Sequence, residues 1–227
     1  MNQIDYFEFE DKDKDFPVYD DNPPISVKGW ILLFLAFLLG LVFILESSAD
    51  AGIKACIVLI IPVLYLLNWD YGLIFQKPKN KDILLALGLF VGYILYSVLL
   101  FNIFANHNAP LGGPVTFMSL PPLIFSLMAE EFIKFIPFIF FLTVSYKYSH
   151  DRKLSILIST LLIMIFFACI HSFNWELFIS AIFFQGIGSI FEIFGYIKTK
   201  NLLIPYITHL CTDVFFMLLI IFGIRIF

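Results

Sequence analysis

Seven apolar runs dominate this chain, at about residues 29–46, 53–69, 83–105, 121–146, 154–172, 175–196 and 202–224. Each is close to the ~20 residues that a helix needs to cross the hydrocarbon core of a bilayer. Few folds accept such segments, because in lipid every backbone amide and carbonyl must be satisfied within a helix or a closed barrel. The composition agrees: 60% hydrophobic, 19% aromatic and only 14% charged, with a mean hydropathy of +0.92. The expectation is an all-α, polytopic transmembrane helical bundle of about seven to eight spans.

Residues 1–25 form an acidic tail (Glu8, Glu10, Asp11, Asp13, Asp15, Asp20, Asp21) closed by Pro23-Pro24. Residues 26–227 make up the membrane domain. Ala49-Asp50-Ala51 resembles a leader cleavage site, but the run before it is too long and its tail too acidic, so the first span is read as retained. Lys and Arg set the orientation. Lys12, Lys14 and Lys28 precede the first run. Lys77, Lys79 and Lys81, then Lys147, Arg152 and Lys153, then Lys198 and Lys200 fall in alternate loops. Seven spans with the N-terminus inside put all of these on the cytoplasmic face. The loop at 105–121 has no Lys or Arg, as an external loop should. The net charge of −4 sits largely in the tail and argues against a nucleic-acid partner.

Within the fourth run stands Met128-Ala129-Glu130-Glu131-Phe132-Ile133-Lys134. A charge at the centre of a bilayer costs roughly 2.5–3.5 kcal/mol on insertion scales, so three together need a reason. Lys134 is four residues from Glu130 and three from Glu131, and on a helix it can reach either. One carboxylate is then left over. Pro121-Pro122 opens this run as helix-start prolines do, and Pro137 predicts a kink one turn beyond Lys134. Gly88 and Gly92 are spaced for close helix contact, and Gln185-Gly186-Ile187-Gly188 reads as close packing rather than a phosphate loop.

Other costly groups lie in later runs: His171 at the end of the fifth, and His209 with Asp213, four apart on one helix face, in the seventh. Converging them on one water-filled cavity with Glu130 is the cheapest arrangement. A carboxylate there can act as general base, a histidine can share the proton, and a second histidine can donate to an oxyanion. The same groups are ordinary zinc ligands. H-E-x-x-H, G-x-S-x-G and a paired Asp motif with Gly are all absent, which excludes zincins and leaves serine and aspartyl chemistry without support. Cys169 and Cys211 each lie two residues from a histidine, about 200° round a helix, so neither pair can ligate from one face; the three cysteines read as core.

Glu130-Glu131, Phe167-x-x-x-His171 and His209-x-x-x-Asp213 together resemble the three motifs of the CAAX-protease and bacteriocin-processing (abortive-infection) family of intramembrane proteases. The stretch Gly195–His209 is similar to the family's approach to its last histidine, and the likeness covers about residues 120–216. The resemblance implies an endopeptidase that hydrolyses a peptide bond with activated water. It implies that Glu130 is the base with His171 as its partner, that His209 and Asp213 stabilise the oxyanion, and that a basic residue holds Glu131. Two positions depart from the pattern: the family Arg falls at Phe135, with Lys134 beside it, and Asp213 stands where many members have Asn. Lys134 faces Glu130 as well as it faces Glu131, so either glutamate can be the base.

No cofactor is expected. Zinc is chemically possible but not favoured, because the ammonium of Lys134 competes with a divalent ion. The expected partners are membrane lipid and a peptide or membrane-protein substrate, in a bacterial cell membrane with the N-terminus cytoplasmic. His209 would lie about 12 Å in from the cytoplasmic end of its span, and His171 near the outer end of its own. For both to meet Glu130, the turn Ser172-Phe173-Asn174-Trp175 must be sunk within the protein, with Asn174 and Glu176 as supporting polar groups. Glu192 reads first as a satisfied acid near the inner interface, and second as another supporting group. Two rival functions remain: a non-catalytic membrane immunity or binding protein on the same scaffold, and a small proton-coupled carrier.

Overall fold

In the computed structural model the described residues are 25–46, 48, 50–104, 116–172 and 174–224. The acidic tail, up to residue 24, and most of the 105–121 loop lie outside them. The regular elements among the described residues are all helical: α1 (Val27–Ile44), α2 (Ala51–Leu66), α3 (Asn80–Phe104), α4 (Leu120–Ser149), α5 (Arg152–His171), α6 (Trp175–Ala181), α7 (Ile190–Thr199) and α8 (Leu203–Ile221). Single turns at Tyr71–Leu73 and Phe117–Ser119 precede α3 and α4. Between α6 and α7 the chain continues through a π turn, Ile182–Gly186, and a 3-10 turn, Ile187–Ser189.

Five helical stretches are long and apolar enough to cross a bilayer: Val27–Ile44, Asn80–Phe101, Arg152–His171, Leu177–Thr199 and Leu203–Ile221. The protein is therefore an integral membrane protein. The five are fewer than the seven to eight spans read from the sequence. The α2 helix has 16 residues, short of a full crossing, and α4, with 30, carries Glu130, Glu131 and Lys134 in its middle.

Local chemistry explains most boundaries. Ser26 caps α1 by accepting from the amide of Gly29, and Asp151 caps α5 by accepting from Leu154. Leu120 and the two prolines open α4 as expected, and the helix runs on as one element through Pro137. His150 and Lys200, both left-handed, end α4 and α7.

The α4 helix is the axis of the molecule. It packs against α1, α2, α5 and α8, and α8 is backed by α3 and α7. Lipid gives no hydrophobic drive for helix association, so close fit must hold the helices together. A methyl group on Gly186 would stand 2.7 Å from the Met164 carbonyl, and one on Gly188 2.7 Å from the Tyr93 ring, so this segment is close packing as read. Gly92 sits against Phe191, but among the described residues nothing comes within 4 Å of a methyl group on Gly88, so there the pair does not form one contact stripe. At one end, Asn201 clamps two loops. Its Oδ1 accepts from the Gln76 and Leu203 amides and its Nδ2 donates to the Gln76 carbonyl at 2.8 Å. Leu202 also donates to Ile74, which fixes where α8 begins.

Candidate functional site: two carboxylate–histidine pairs on one helix

Glu130 and Glu131 are neighbours on α4, so their side chains leave the helix about 100° apart. Each finds a different histidine. Glu130 Oε2 lies 4.0 Å from His171 Nε2 at the end of α5, and both side chains are partly exposed, at 22% and 29%. Glu131 is fully buried, and its Oε1 accepts from His209 Nδ1 on α8 at 2.7 Å. Asp213, one turn on from His209, places Oδ1 3.8 Å from His209 Nε2 and is within electrostatic reach of Glu130 and His171.

Lys134 pairs with Glu131, Nζ to Oε1 at 3.0 Å, and not with Glu130. It also donates to Glu192 on α7. The whole Lys134 side chain is buried among these acids, and Glu192 Oε1 is 3.8 Å from His209 Nδ1. The buried cluster is thus Glu131, Lys134, Glu192 and His209, drawn from α4, α7 and α8. An isolated buried charge would cost several kcal/mol, whereas here each faces an opposite or hydrogen-bonding partner.

Phe167, the first residue of the second motif, joins the two pairs. It is buried, and its ring centre lies 4.6 Å from Lys134 Nζ and 4.4 Å from the His171 ring. The same residue's carbonyl accepts from His171 Nδ1 at 2.8 Å. A carbonyl can only accept, so Nδ1 carries a proton and Nε2 is the nitrogen that faces Glu130. His209 is set the same way, with Nδ1 donating and Nε2 facing a carboxylate, but its Nδ1 donates to the Glu131 carboxylate rather than to a backbone carbonyl, and its Nε2 faces Asp213.

Each histidine thus has its own glutamate, His171 facing Glu130 and His209 bonded to Glu131. The turn between α5 and α6 is not sunk within the described residues: Asn174 is exposed and Trp175 is 75% exposed. Asn174 instead starts α6 through its carbonyl, which accepts from Leu177 and Phe178; Phe173 and the Glu176 side chain lie outside the described residues. The two histidines reach the same level of α4 because adjacent glutamates point to different neighbours. Glu192, read first as an interfacial acid and second as a supporting group, is buried and is the second partner of Lys134, as the second reading had it.

No family model matches the chain, and neither a curated protein nor a solved structure does. The site is therefore judged on its own chemistry. Glu131, Glu192 and His209 offer ligand atoms within 4.8 Å of one another, close enough for a metal ion, but Lys134 lies among the same carboxylates. An apolar hollow elsewhere on α4, between Val63, Phe132, Ile136 and Tyr196, is lined by none of the site residues.

Proposed function

We propose that the protein is an intramembrane endopeptidase similar to the CAAX-type and bacteriocin-processing proteases, and that it hydrolyses a peptide bond with water activated by Glu130 and His171. The observation that carries this reading is the partly exposed Glu130–His171 pair, set beside a second histidine that a buried carboxylate orients. Each lies on the helix and in the order of the motifs.

The 4.0 Å gap is too long for a direct hydrogen bond and suits one bridging water. The proposed step uses a neutral His171 and an ionised Glu130, so that Nε2 and Oε2 both act as acceptors. A water held by its two hydrogens turns its lone pairs outward, towards a scissile carbonyl. Attack forms the new C–O bond while Glu130 takes the proton. The carbonyl oxygen becomes an oxyanion that accepts from His209 Nε2–H, for which the His209 ring must carry protons on both nitrogens; Glu131 and Asp213 are the opposing charges. Collapse breaks the C–N bond as Glu130 returns its proton to the leaving amine. Glu131, held by Lys134, orients His209 and is not the base.

In this reading α2 and α4 also cross the membrane, α6–α7 cross as one rod, and seven spans place the N-terminus and the Lys-rich loops on the cytoplasmic side. The reaction needs no metal. The partners are lipid and a peptide or membrane-protein segment.

Purified protein in detergent, assayed with quenched fluorescent peptides that include prenylated-cysteine members, tests the reading. Cleavage by the native chain that is lost in Glu130→Gln supports it. Proton flux in liposomes without cleavage would support the carrier, and tight peptide binding without cleavage an immunity or binding role.

A further inference from the structure

Glu192 is a carboxylate outside the three motif segments that is buried in the network. Its position depends on the irregular stretch before it. The Tyr93 and Tyr96 hydroxyls of α3 donate to the Phe184 and Phe183 carbonyls in the π turn, at 3.1 and 2.8 Å. The 3-10 turn follows, and Glu192 lies in the first turn of α7.

The Lys134 ammonium has three donors. One goes to Glu131 Oε1 and one to Glu192 Oε2. Glu131 Oε1 is shared with His209, while the buried Glu131 Oε2 has no hydrogen-bond partner among the described residues. That vacant oxygen on the same carboxylate is the natural second acceptor for Lys134. With Glu192 uncharged, Glu131 becomes the sole buried counter-ion, and the ammonium is drawn across both its oxygens and away from the geometry that serves His209.

We propose that Glu192 is a positioning residue for His209: by holding the Lys134 ammonium from the α7 side, it keeps Glu131 Oε1 aligned with His209 Nδ1. This deepens the proteolytic reading and rests on it for the role of His209, but the hydrogen bond can be observed without any substrate.

The test is NMR of the full chain in detergent, with ¹⁵N-labelled histidine. An imidazole N–H bonded to a carboxylate gives a far-downfield proton signal, which His209→Gln identifies by its loss. Glu192→Gln is expected to remove or strongly shift this signal, and Glu130→Gln to leave it in place. The double variant Lys134→Met/Glu192→Gln is expected to restore it, because no ammonium then competes for Glu131. A merely structural role predicts no such restoration, since the double variant removes more of the network than either change alone. An unchanged signal in Glu192→Gln, or its absence from the folded double variant, overturns the proposal. If Glu192→Gln does not fold, the double variant alone decides. Cleavage of the peptide panel is followed in parallel. Restored signal with no cleavage by the native chain upholds the positioning role and defeats the protease reading. Cleavage by the native chain with an unaltered signal in Glu192→Gln does the reverse.

Discussion

His209 donates from Nδ1 to Glu131 Oε1 at 2.7 Å, which makes Glu131 and not Glu130 the carboxylate that orients the last histidine. Adjacent residues therefore have different surroundings, Glu131 buried and paired and Glu130 partly exposed. Glu131→Ala leaves Lys134 with one counter-charge and His209 without its acceptor. Breaking a buried pair in this way costs about 3–5 kcal/mol. Glu130→Ala removes a partly exposed group and is expected to leave stability nearly unchanged. Thermal unfolding in detergent should rank the two far apart, and equal losses would contradict the division.

Activity should rank them differently. Glu130→Gln and His171→Ala are each expected to lower peptide cleavage about 10²–10⁴-fold while the protein still inserts and folds. Native-like cleavage by either variant removes that residue from the mechanism.

Phe167 tests the link between the two pairs. Its ring faces the Lys134 ammonium at 4.6 Å, an interaction worth about 2 kcal/mol when desolvated. Phe167→Leu keeps an apolar side chain in place but loses the ring face. It should destabilise the chain by about that amount, whereas in a Lys134→Met background the same change should cost less. A double-mutant cycle in unfolding free energy measures the difference, and additivity would show that the contact contributes nothing.

Lys134 is paired with Glu131 and Glu192, two of the three groups that with His209 could hold a divalent ion. Cleavage by the native chain should withstand a chelator. Lys134→Met leaves two carboxylates and an imidazole within 4.8 Å and should bind zinc stoichiometrically. Metal analysis after dialysis checks this. Native activity lost to chelator and restored by zinc would reverse the assignment.

Asn201 is predicted to matter without touching the site. Asn201→Ala removes its part-buried bonds to the Gln76 backbone and the Leu203 amide, each worth about 0.5–1.5 kcal/mol net. Lower stability with little change in a cleavage assay of the folded fraction is the expected outcome.

Much of this was determined by the sequence alone. Long apolar runs force helices because lipid leaves the backbone no other partner, and Pro121-Pro122 marks a helix start by chemistry local to a few residues. The cost of charge in hydrocarbon singled out Glu130, Glu131, Lys134, His171, His209 and Asp213 before any contact was known. Only the tertiary structure decided who pairs with whom. Lys134 could reach either glutamate along its own helix, and the choice came from α7 and α8, which bring Glu192 and His209 to the Glu131 side, while α5 brings His171 to Glu130. The partner of Glu192 was hidden for a further reason. A π turn and a 3-10 turn precede it, each with its own rotation per residue, so the 3.6-residue period cannot say which way its side chain points. That direction is set by packing against α3 and α5, between residues far apart in the chain.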